Sequence, residues 1–354
     1  MTGNIITKRL VIGSLNTAGQ ARQWASALSE HAPARAEAWV LESTGGSTAR
    51  FAFDRSFLPP TPSANPMWSA ILNEAPRVTH VLIESAKPIG VKGRRRRLFA
   101  QTASMVLRGV TPALLFHGSD LRIPSVHRKT HQDSPFHEAH GDLTATLEER
   151  TQSISRLVKF WPLTTFVSTI DLRAFAPRSR WLPVVIEPEW FGSMAPINTD
   201  RPRPRVLHLP SRRELFQSEL IDQVCIQLNR EQVIEYKSAT CVSPAEVRSL
   251  VEWSDIVIDK IGIGGTGVMG AEVMASGRLL IGDVDQIVRD ELSDLPLIQS
   301  STSTLDQVIR ALIADRTTWA ARAAAGQAFA RKYHDGRYSA AVLAKWMGVP
   351  LNGE

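Results

Sequence analysis

Four glycines between two strand-like segments form the part of this sequence best suited to chemistry. They are Gly262, Gly264, Gly265 and Gly267. The apolar run Ile256–Ile258 precedes them, and a helix-patterned run carrying Glu272 follows, then a second apolar run at 279–281. Glycine lets the backbone approach an anion closely, and a helix N-terminus presents unpaired N–H groups at the positive end of a dipole. The pattern therefore predicts a phosphate-binding strand–loop–helix–strand unit.

The same loop also matches the G-x-G-x-x-G fingerprint of dinucleotide-binding dehydrogenases, with Asp283 after the next strand. That fingerprint normally lies on the first strand of its domain. Here two strand-like runs, at 206–209 and 233–236, precede the loop. Its position disfavours a dinucleotide site, and a purely structural glycine turn is the other alternative.

Length and composition indicate a two-domain α/β protein. The chain has 354 residues, of which 43% are hydrophobic, enough to fill two cores. Its two cysteines, Cys225 and Cys241, form no C-x-x-C pair, which disfavours a metal site or disulfide framework and fits a reducing compartment. The start has no secretory pattern and no run of eighteen apolar residues occurs, so we expect a cytoplasmic protein. The formal net charge of +6 favours anionic partners in general.

The first half of the chain alternates strand-like and helix-like runs. Strands are predicted at 9–12, 38–41, 50–53, 79–83, 113–116 and 165–168, and helices at 20–31, 96–107 and 147–160. Near-continuous apolar strands that alternate with helices are typical of a parallel sheet covered on both faces.

A proline-rich segment at 194–205 interrupts this alternation and is predicted to be a linker. Beyond it come strands at 206–209 and 233–236, helices at 218–229 and 244–253, the glycine unit, and helices at 317–332 and 337–347. We therefore predict an N-terminal domain over 1–193, a C-terminal domain over 206–332 and a final segment over 333–354. Two doubly wound domains would form a cleft where the carboxyl ends of both sets of strands face one ligand.

Four segments resemble a known family. They are LFHGSDLR at 115–122, LHLPSRR at 207–213, DIVIDKIGIGGTGVMGAEVMASG at 255–277 and YHDG at 333–336. In this order they are similar to the motifs of the retaining, family-four-like bacterial glycosyltransferases of the GT-B fold. The resemblance implies two Rossmann-like domains around a cleft, with a C-terminal helix that crosses back to the N-terminal domain. It also implies a nucleotide sugar bound by the C-terminal domain and an acceptor bound by the N-terminal domain.

The resemblance and the position of each residue predict the site. His117 at a strand end is predicted to donate a hydrogen bond to sugar or phosphate, and Asp120 to share its site. Alternatively, His117 is a core histidine, and Asp120 pairs with Arg122 or caps a helix. Acceptor contact is predicted for Gly13, Ser14, Asn16 and Gly19. Donor contact is predicted for Arg212, Arg213, Lys260, Gly264, Gly265, Thr266, Gly267, Val268 and Glu272.

Two positions depart from the family pattern. The family often carries an E-x7-E pair, and Glu272 matches its second glutamate, but Gly264 stands at the first position. The family also places an arginine and, a few residues later, a lysine on the donor phosphates. Arg213 matches the arginine, whereas Phe216 and Gln217 stand where the lysine is usual. Arg212 or Lys260 is the alternative source of that charge.

Neither a metal nor a bound cofactor is expected, since the nucleotide sugar is a co-substrate and cationic side chains can serve its diphosphate. Asp283 and Asp285 form the nearest match to an Asp-x-Asp metal motif, and an ordinary loop explains them equally well. The sequence thus predicts a metal-independent transferase. A catalytically inactive homologue acting as a binding or regulatory subunit and a nucleotide-sugar epimerase are the alternatives.

A basic cluster begins the helix predicted at 96–107. It comprises Lys92, Arg94, Arg95, Arg96 and Arg97. Positive charge at a helix N-terminus interacts unfavourably with the helix dipole, so helix stability does not explain the cluster. A solvated loop is one explanation, and peripheral contact with an anionic membrane is another, with Leu98 and Phe99 inserting shallowly. A nucleic-acid partner is not expected, because no aromatic platform accompanies the cluster.

Overall fold

Two parallel sheets, each in its own domain, organise the chain. The computed structural model describes residues 8–42, 51–59, 61, 64–75, 77–89, 95–137, 142–240 and 243–353. All structural statements below concern these residues.

The first sheet contains seven parallel strands among the described residues, in the order β3-β2-β1-β4-β5-β6-β7. Their bounds are β1 Lys8–Ser14, β2 Ala34–Leu41, β3 Arg55–Phe57, β4 His80–Glu84, β5 Thr111–Phe116, β6 Thr164–Val167 and β7 Arg180–Trp181. The helices of this domain are α1 Gln20–His31, α2 Pro66–Asn73, α3 Arg95–Leu107, α4 Gly118–Leu121, α5 Pro124–Thr130 and α6 Asp142–Phe160. The central strand β4 is buried along its whole length, as a sheet covered on both faces requires.

The second sheet contains five parallel strands in the described part of the chain, in the order β12-β11-β10-β8-β9. Their bounds are β8 Arg205–His208, β9 Glu235–Ser238, β10 Ile256–Ile258, β11 Leu279–Gly282 and β12 Ile298–Gln299. The accompanying helices are α7 Ser218–Arg230, α8 Pro244–Trp253, α9 Val268–Ala275, α10 Gln286–Glu291, α11 Leu305–Ala314 and α12 Trp319–Tyr333.

The last helix, α13 Arg337–Met347, returns to the first domain. Its buried residues Leu343 and Met347 belong to the apolar cluster built on α1 and the first sheet. Before it, the buried His334 ring bonds the carbonyl oxygen of Val184 at 2.9 Å, which fixes the point where the chain crosses over. The predicted crossover helix is therefore present.

Most predicted elements match within a few residues, but the strand predicted at 50–53 is wrong. Residue 50 lies outside the described residues, and 51–53 are irregular. The strand that pairs with β2 is β3, where Arg55 lies opposite Trp39. It is a short edge strand, and its arginine ion-pairs with Glu74 at 2.6 Å. Such an edge has a polar sequence, so hydropathy favours the neighbouring apolar run instead.

No helix among the described residues combines the length and apolar character needed to span a bilayer.

Candidate functional site

The carboxyl ends of both sheets face a cleft between the domains, where two cavities lie. The smaller, about 290 Å³, is lined by residues that follow β1, β5 and β6 on one side and β8 and β10 on the other. The larger, about 670 Å³, lies between the loop and helix after β1 and helices α8 and α9. Parallel strands place their carboxyl ends at one edge, so this is where such sheets normally bind ligands.

The smaller cavity brings together residues that the sequence predicts on both domains. They are His117, Arg212, Lys260, Gly265, Gly267 and Val268. Gly267 is the N-cap of α9, so the first N–H groups of that helix lie next to the cavity. A β-carbon built on Gly267 would lie 2.7 Å from Lys260 Nζ, which shows how closely the ammonium group covers this backbone.

Lys260 and Arg212 provide positive charge at the second-domain side of the smaller cavity. Lys260 Nζ lies 5.6 Å from the ring centroid of Phe216. Among the described residues, neither cation forms an ion pair in this structure. Phe216 is the residue found where the resemblance predicts a lysine. The Lys260 ammonium lies above its ring.

Arg213 is placed differently from its neighbour Arg212. Its guanidinium ion-pairs with Asp222 of α7, and it donates a hydrogen bond to Ser238 Oγ at 3.2 Å. Arg213 is not among the residues that line either cavity. The two neighbouring arginines thus point to different surroundings, and donor contact by Arg213 remains a prediction.

The glycine loop packs tightly against other groups. Gly264 has a φ of +83°, and a β-carbon there would overlap the Asp285 carboxylate, which pairs with His131 of the first domain at 2.5 Å. A β-carbon on Gly265 would overlap the Asp171 carboxylate, also from the first domain. The space for a side chain at the first position of the E-x7-E pair is therefore filled. Thr266 lies in the same loop and lines a small adjoining pocket.

Glu272 lies on α9 and lines the larger cavity. Burial, together with the nearby charges of Glu187 and Asp259, raises the pKa of Glu272 to about 8. Without a ligand, this carboxyl is thus largely protonated at neutral pH. Strongly perturbed carboxyls in a cleft are typical of functional sites.

The end of β1 and the loop after it are predicted to contact the acceptor. The residues of this segment divide into two groups. Gly19 lines the larger cavity. Ser14 and Asn16 are buried, and the Asn16 amide donates to the Ala52 carbonyl oxygen at 2.9 Å while its Oδ1 accepts from Arg22 N–H. A β-carbon on Gly13 would overlap the carbonyl oxygen of Trp39. These inner residues shape the turn, and of the four Gly19 alone lines a cavity described here.

Glu84 organises this loop from the end of β4, and the sequence analysis missed it. Its buried carboxylate accepts hydrogen bonds from the N–H groups of Leu15, Asn16 and Thr17 at 2.9, 2.8 and 3.1 Å. Burial alone would raise the pKa of Glu84, but His117 and these donors lower it below its usual range. The sequence signal for it is a single acidic residue at the end of the apolar strand VLIE.

His117 and Asp120 follow β5. The Asp120 carboxylate is buried, accepts from His117 N–H at 2.9 Å and Ser85 Oγ at 2.7 Å, and ion-pairs with Arg150. It therefore lies behind His117 and holds the first turn of α4. The His117 ring lines the smaller cavity, with Nδ1 3.2 Å from Ser168 Oγ and Nε2 3.6 Å from Glu84.

Arg122 and Asp171 form a buried ion pair in the first domain beside the glycine loop. Of the two alternatives for Asp120, the pair with Arg122 does not form, because Asp120 binds Arg150, whereas the helix cap does form at the start of α4. One oxygen of Asp171, Oδ1, has no partner among the described residues. Asp171 follows β6 in a segment that the sequence analysis did not single out.

No group of three or more histidine, cysteine, aspartate or glutamate side chains in the described ranges is arranged to hold a metal ion. Asp283 accepts a hydrogen bond from Gly262 N–H at 3.2 Å, and Asp285 pairs with His131. Both carboxylates of the Asp-x-Asp match are therefore engaged in internal contacts.

Two facing doubly wound domains with a returning C-terminal helix define the GT-B fold. A sucrose-phosphate synthase from Thermosynechococcus elongatus has a similar structure, with a TM-score of 0.61 at 10% sequence identity. The match covers 97% of this chain and 98% of that one. HepE from Anabaena, solved with UDP-glucose, gives a TM-score of 0.59 at 11% identity, covering 96% of this chain and 99% of that one. WaaG, a glycosyltransferase involved in lipopolysaccharide biosynthesis, gives 0.55 at 11% identity, covering 98% and 100%.

No protein-family model matches the chain, and no curated protein matches it. At identities of 10–11%, the likeness to these structures shows the fold. It confirms the GT-B fold that the sequence motifs predict.

Proposed function

We propose that this protein is a glycosyltransferase that moves a sugar from a nucleotide-activated donor to a glycan, lipid-linked or small-molecule acceptor. One observation carries the proposal. The smaller cavity places two cations without an ion-pair partner among the described residues, Arg212 and Lys260, beside a glycine loop and the N-terminus of α9. That combination suits a diphosphate between the two domains.

The chemistry follows from where charge develops. As the bond between sugar and diphosphate breaks, negative charge grows on the leaving phosphate, and Arg212, Lys260 and the N–H groups of α9 stabilise it. Positive charge grows on the sugar, which passes through an oxocarbenium-like state. Cationic side chains make a metal ion unnecessary for this step. Transfer with retention of configuration is our proposal by resemblance to the family-four-like enzymes.

The larger cavity suits the nucleoside of the donor. Glu272 lines it, and a carboxylate there can accept hydrogen bonds from the two ribose hydroxyls. The cavity volume of about 670 Å³ lies within the usual range for small-molecule sites. Gly19 lines the same cavity from the first domain, so the acceptor would enter from that side.

A thermal-shift panel of nucleotide sugars tests the proposal, because a bound ligand stabilises the folded state by mass action. We expect at least one nucleotide sugar and its nucleoside diphosphate to raise the melting temperature. Lys260→Met should remove most of that shift, whereas Lys237→Met, outside both cavities, should keep it. A panel with no stabilising nucleotide would overturn the proposal.

An inactive homologue that binds a nucleotide sugar is the second candidate, and Gly264 favours it. The Asp285–His131 pair fills the space beside Gly264, so no side chain at that position reaches a sugar. Slow hydrolysis of the donor in the absence of acceptor distinguishes the two, since an inactive binding subunit releases no sugar.

We further propose that the first domain contacts an anionic membrane surface at the cytoplasmic face, bringing the cleft to a lipid-linked acceptor. Lys92 and Arg94 of the basic cluster lie outside the described residues, but Arg97 is exposed near the start of α3. Two residues further on, Phe99 stacks on Trp161, with ring centroids 3.9 Å apart. The adjacent Phe160 is 79% exposed, and the exposed Lys159 lies beside it.

Phe99 of α3 thus meets the aromatic pair Phe160 and Trp161 at the end of α6, with Lys159 beside them, which suits an interface with acidic lipid. Leu98 is a correction to the sequence-based model, because it is fully buried in the core and does not insert. Phe160→Ser with Arg97→Gln should lower sedimentation with phosphatidylglycerol vesicles. Ile226→Ser, an exposed apolar residue of α7, is the matched control. Binding by the unmodified protein that is equal for phosphatidylcholine and phosphatidylglycerol would contradict the proposal.

A further inference from the structure

Three side chains from consecutive strand ends form a connected row at the first-domain side of the smaller cavity. Glu84 ends β4, His117 follows β5 and Ser168 follows β6. His117 Nε2 faces Glu84 Oε1 at 3.6 Å, and His117 Nδ1 lies 3.2 Å from Ser168 Oγ. Both ring nitrogens of His117 therefore face protein groups, and Ser168 forms the end of the row opposite Glu84.

The surroundings of His117 favour its charged form. Glu84 from β4 and Asp120 from α4 face it, and the Trp24 ring of α1 stacks on it at a centroid distance of 6.1 Å. Burial alone would lower the pKa of His117, but the two carboxylates raise it above its usual value. Arg150 pairs with Asp120 on the far side. In its imidazolium form, His117 has protons on both nitrogens, and Nδ1 then donates to Ser168 Oγ.

Ser168 lies on the first-domain wall of the cavity that the proposed function assigns to the diphosphate. It is 6% exposed and lines the smaller cavity together with Lys260, Gly265 and Gly267 of the opposite wall. Its backbone is fixed, because its N–H donates to Phe116 O at 3.0 Å and its carbonyl oxygen accepts from Trp181 Nε1 at 3.3 Å. A hydroxyl that accepts from an imidazolium has its own proton left to donate.

We propose that Ser168 donates a hydrogen bond to an oxygen of the donor diphosphate, and that His117 and Glu84 act through it as positioning residues. The inference rests on the proposed function and extends it, because it assigns a contact from the first domain to the leaving group. Charge on His117 polarises the serine hydroxyl and makes it a stronger donor to an anion. Glu84 keeps that charge in place.

Calorimetry with inorganic pyrophosphate as the probe tests the contact at pH 7. Ser168→Ala should weaken pyrophosphate binding by about tenfold or more, the usual effect of losing a hydrogen bond to a charged group. Ser168→Thr keeps a hydroxyl and should restore most of the affinity. Ser26→Ala, which removes an exposed hydroxyl of α1 outside both cavities, is the matched control and should change little.

The pH dependence separates this role from a purely structural one. In the unmodified protein, affinity should fall as the pH rises through the raised pKa of His117, since the imidazolium charge is then lost. Glu84→Gln lowers the pKa of His117, so the loss of pyrophosphate affinity should occur at lower pH. Asparagine in His117→Asn carries no charge at any pH. Subtracting the pH profile of pyrophosphate affinity of this variant from that of the unmodified protein removes the titration of pyrophosphate itself.

The outcomes distinguish the inference from the function it rests on. If the unmodified protein binds pyrophosphate and Ser168→Ala binds it equally well, the inference is overturned while the proposed function stands. The same holds if His117→Asn has the pH profile of the unmodified protein. If the unmodified protein binds neither pyrophosphate nor any nucleotide sugar, both are overturned.

Discussion

On the first-domain wall of the smaller cavity, the charged groups are paired with one another, whereas on the opposite wall the cations are not. His117 faces Glu84, and Arg122 is bound to Asp171. Across the cavity, Arg212 and Lys260 form no ion pair with any described residue. The first wall is thus held in shape by its own ion pairs, and the second keeps its charge for a ligand.

The difference shows how one cleft can combine rigidity with affinity. A buried ion pair contributes little net stability, because desolvation offsets the attraction, but it fixes side chains in one arrangement. A cation without a protein partner can bind an anion at a lower free-energy cost than a paired one, because no existing ion pair must be broken first. The first wall should therefore determine geometry, and the second should provide most of the binding free energy.

The two walls meet at Gly265, and a change there should have the largest effect. In Gly265→Ala, the new methyl group would overlap the buried carboxylate of Asp171, so the Asp171 side chain with its Arg122 pair, or the two walls themselves, must move. Overpacking of this kind typically costs about 1–3 kcal/mol of stability. We expect a lower melting temperature and loss of nucleotide binding, measured by thermal shift and calorimetry.

Two further variants decide whether the contact itself is the cause. Gly326→Ala is the control, because a methyl group there makes ordinary contact with Met274 at 3.5 Å. The double variant Gly265→Ala with Asp171→Ala should recover stability relative to the sum of the single changes. Strict additivity would show that the walls do not meet at this point.

The neighbouring arginines give the next largest effect. Arg212→Ala should weaken nucleoside diphosphate binding by about 1.5–3 kcal/mol, the usual range for a hydrogen bond to a charged group. Arg213→Ala should change binding much less, because Arg213 is already paired with Asp222. Isothermal calorimetry measures both. A larger loss for Arg213 than for Arg212 would mean that Arg213 leaves Asp222 when the ligand binds, and would reverse the assignment.

The sequence predicts this fold well where the signals are local. Helix α8 has the predicted bounds, and its N-terminus is a strong local signal, since Ser243 and Glu246 form a capping box and Pro244 follows the cap. Strand β10 is a run of three buried apolar residues before the glycine loop, and it too was predicted exactly. The GT-B fold followed from motifs present in both domains.

The candidate site was harder to predict, because side-chain pairing depends on residues far apart in the chain. Nothing in the dipeptide Arg212–Arg213 tells which arginine will meet Asp222 of the following helix. The roles of Glu84 and Ser168 depend on strands β4, β5 and β6 being neighbours in the sheet. Sequence patterns give the face of a strand, but not the partner of a polar group at its end.

The last prediction concerns Glu272, where a carboxyl with a raised pKa lines the larger cavity. Its pKa is about 8 in the folded protein, against an ordinary value of 4.5. Between these values the folded state holds a proton that the unfolded state has released, so the free energy of unfolding decreases as the pH rises. Glu272→Gln removes this penalty. The melting temperature of the variant should exceed that of the unmodified protein by an amount that grows from pH 5 to pH 8. Calorimetric scans measure this difference.

The neighbour Glu187 sharpens this last prediction, because its charge contributes to the raised pKa of Glu272. Glu187→Gln should lower that pKa, so the loss of stability should be smaller and should end at a lower pH. A bound nucleoside whose ribose hydroxyls donate to the ionised carboxylate should release the proton below pH 8. The binding enthalpy should then differ between two buffers with different ionisation enthalpies. Equal enthalpies, together with a melting-temperature difference that does not depend on pH, would remove Glu272 from the donor site and leave the affinity to Arg212 and Lys260.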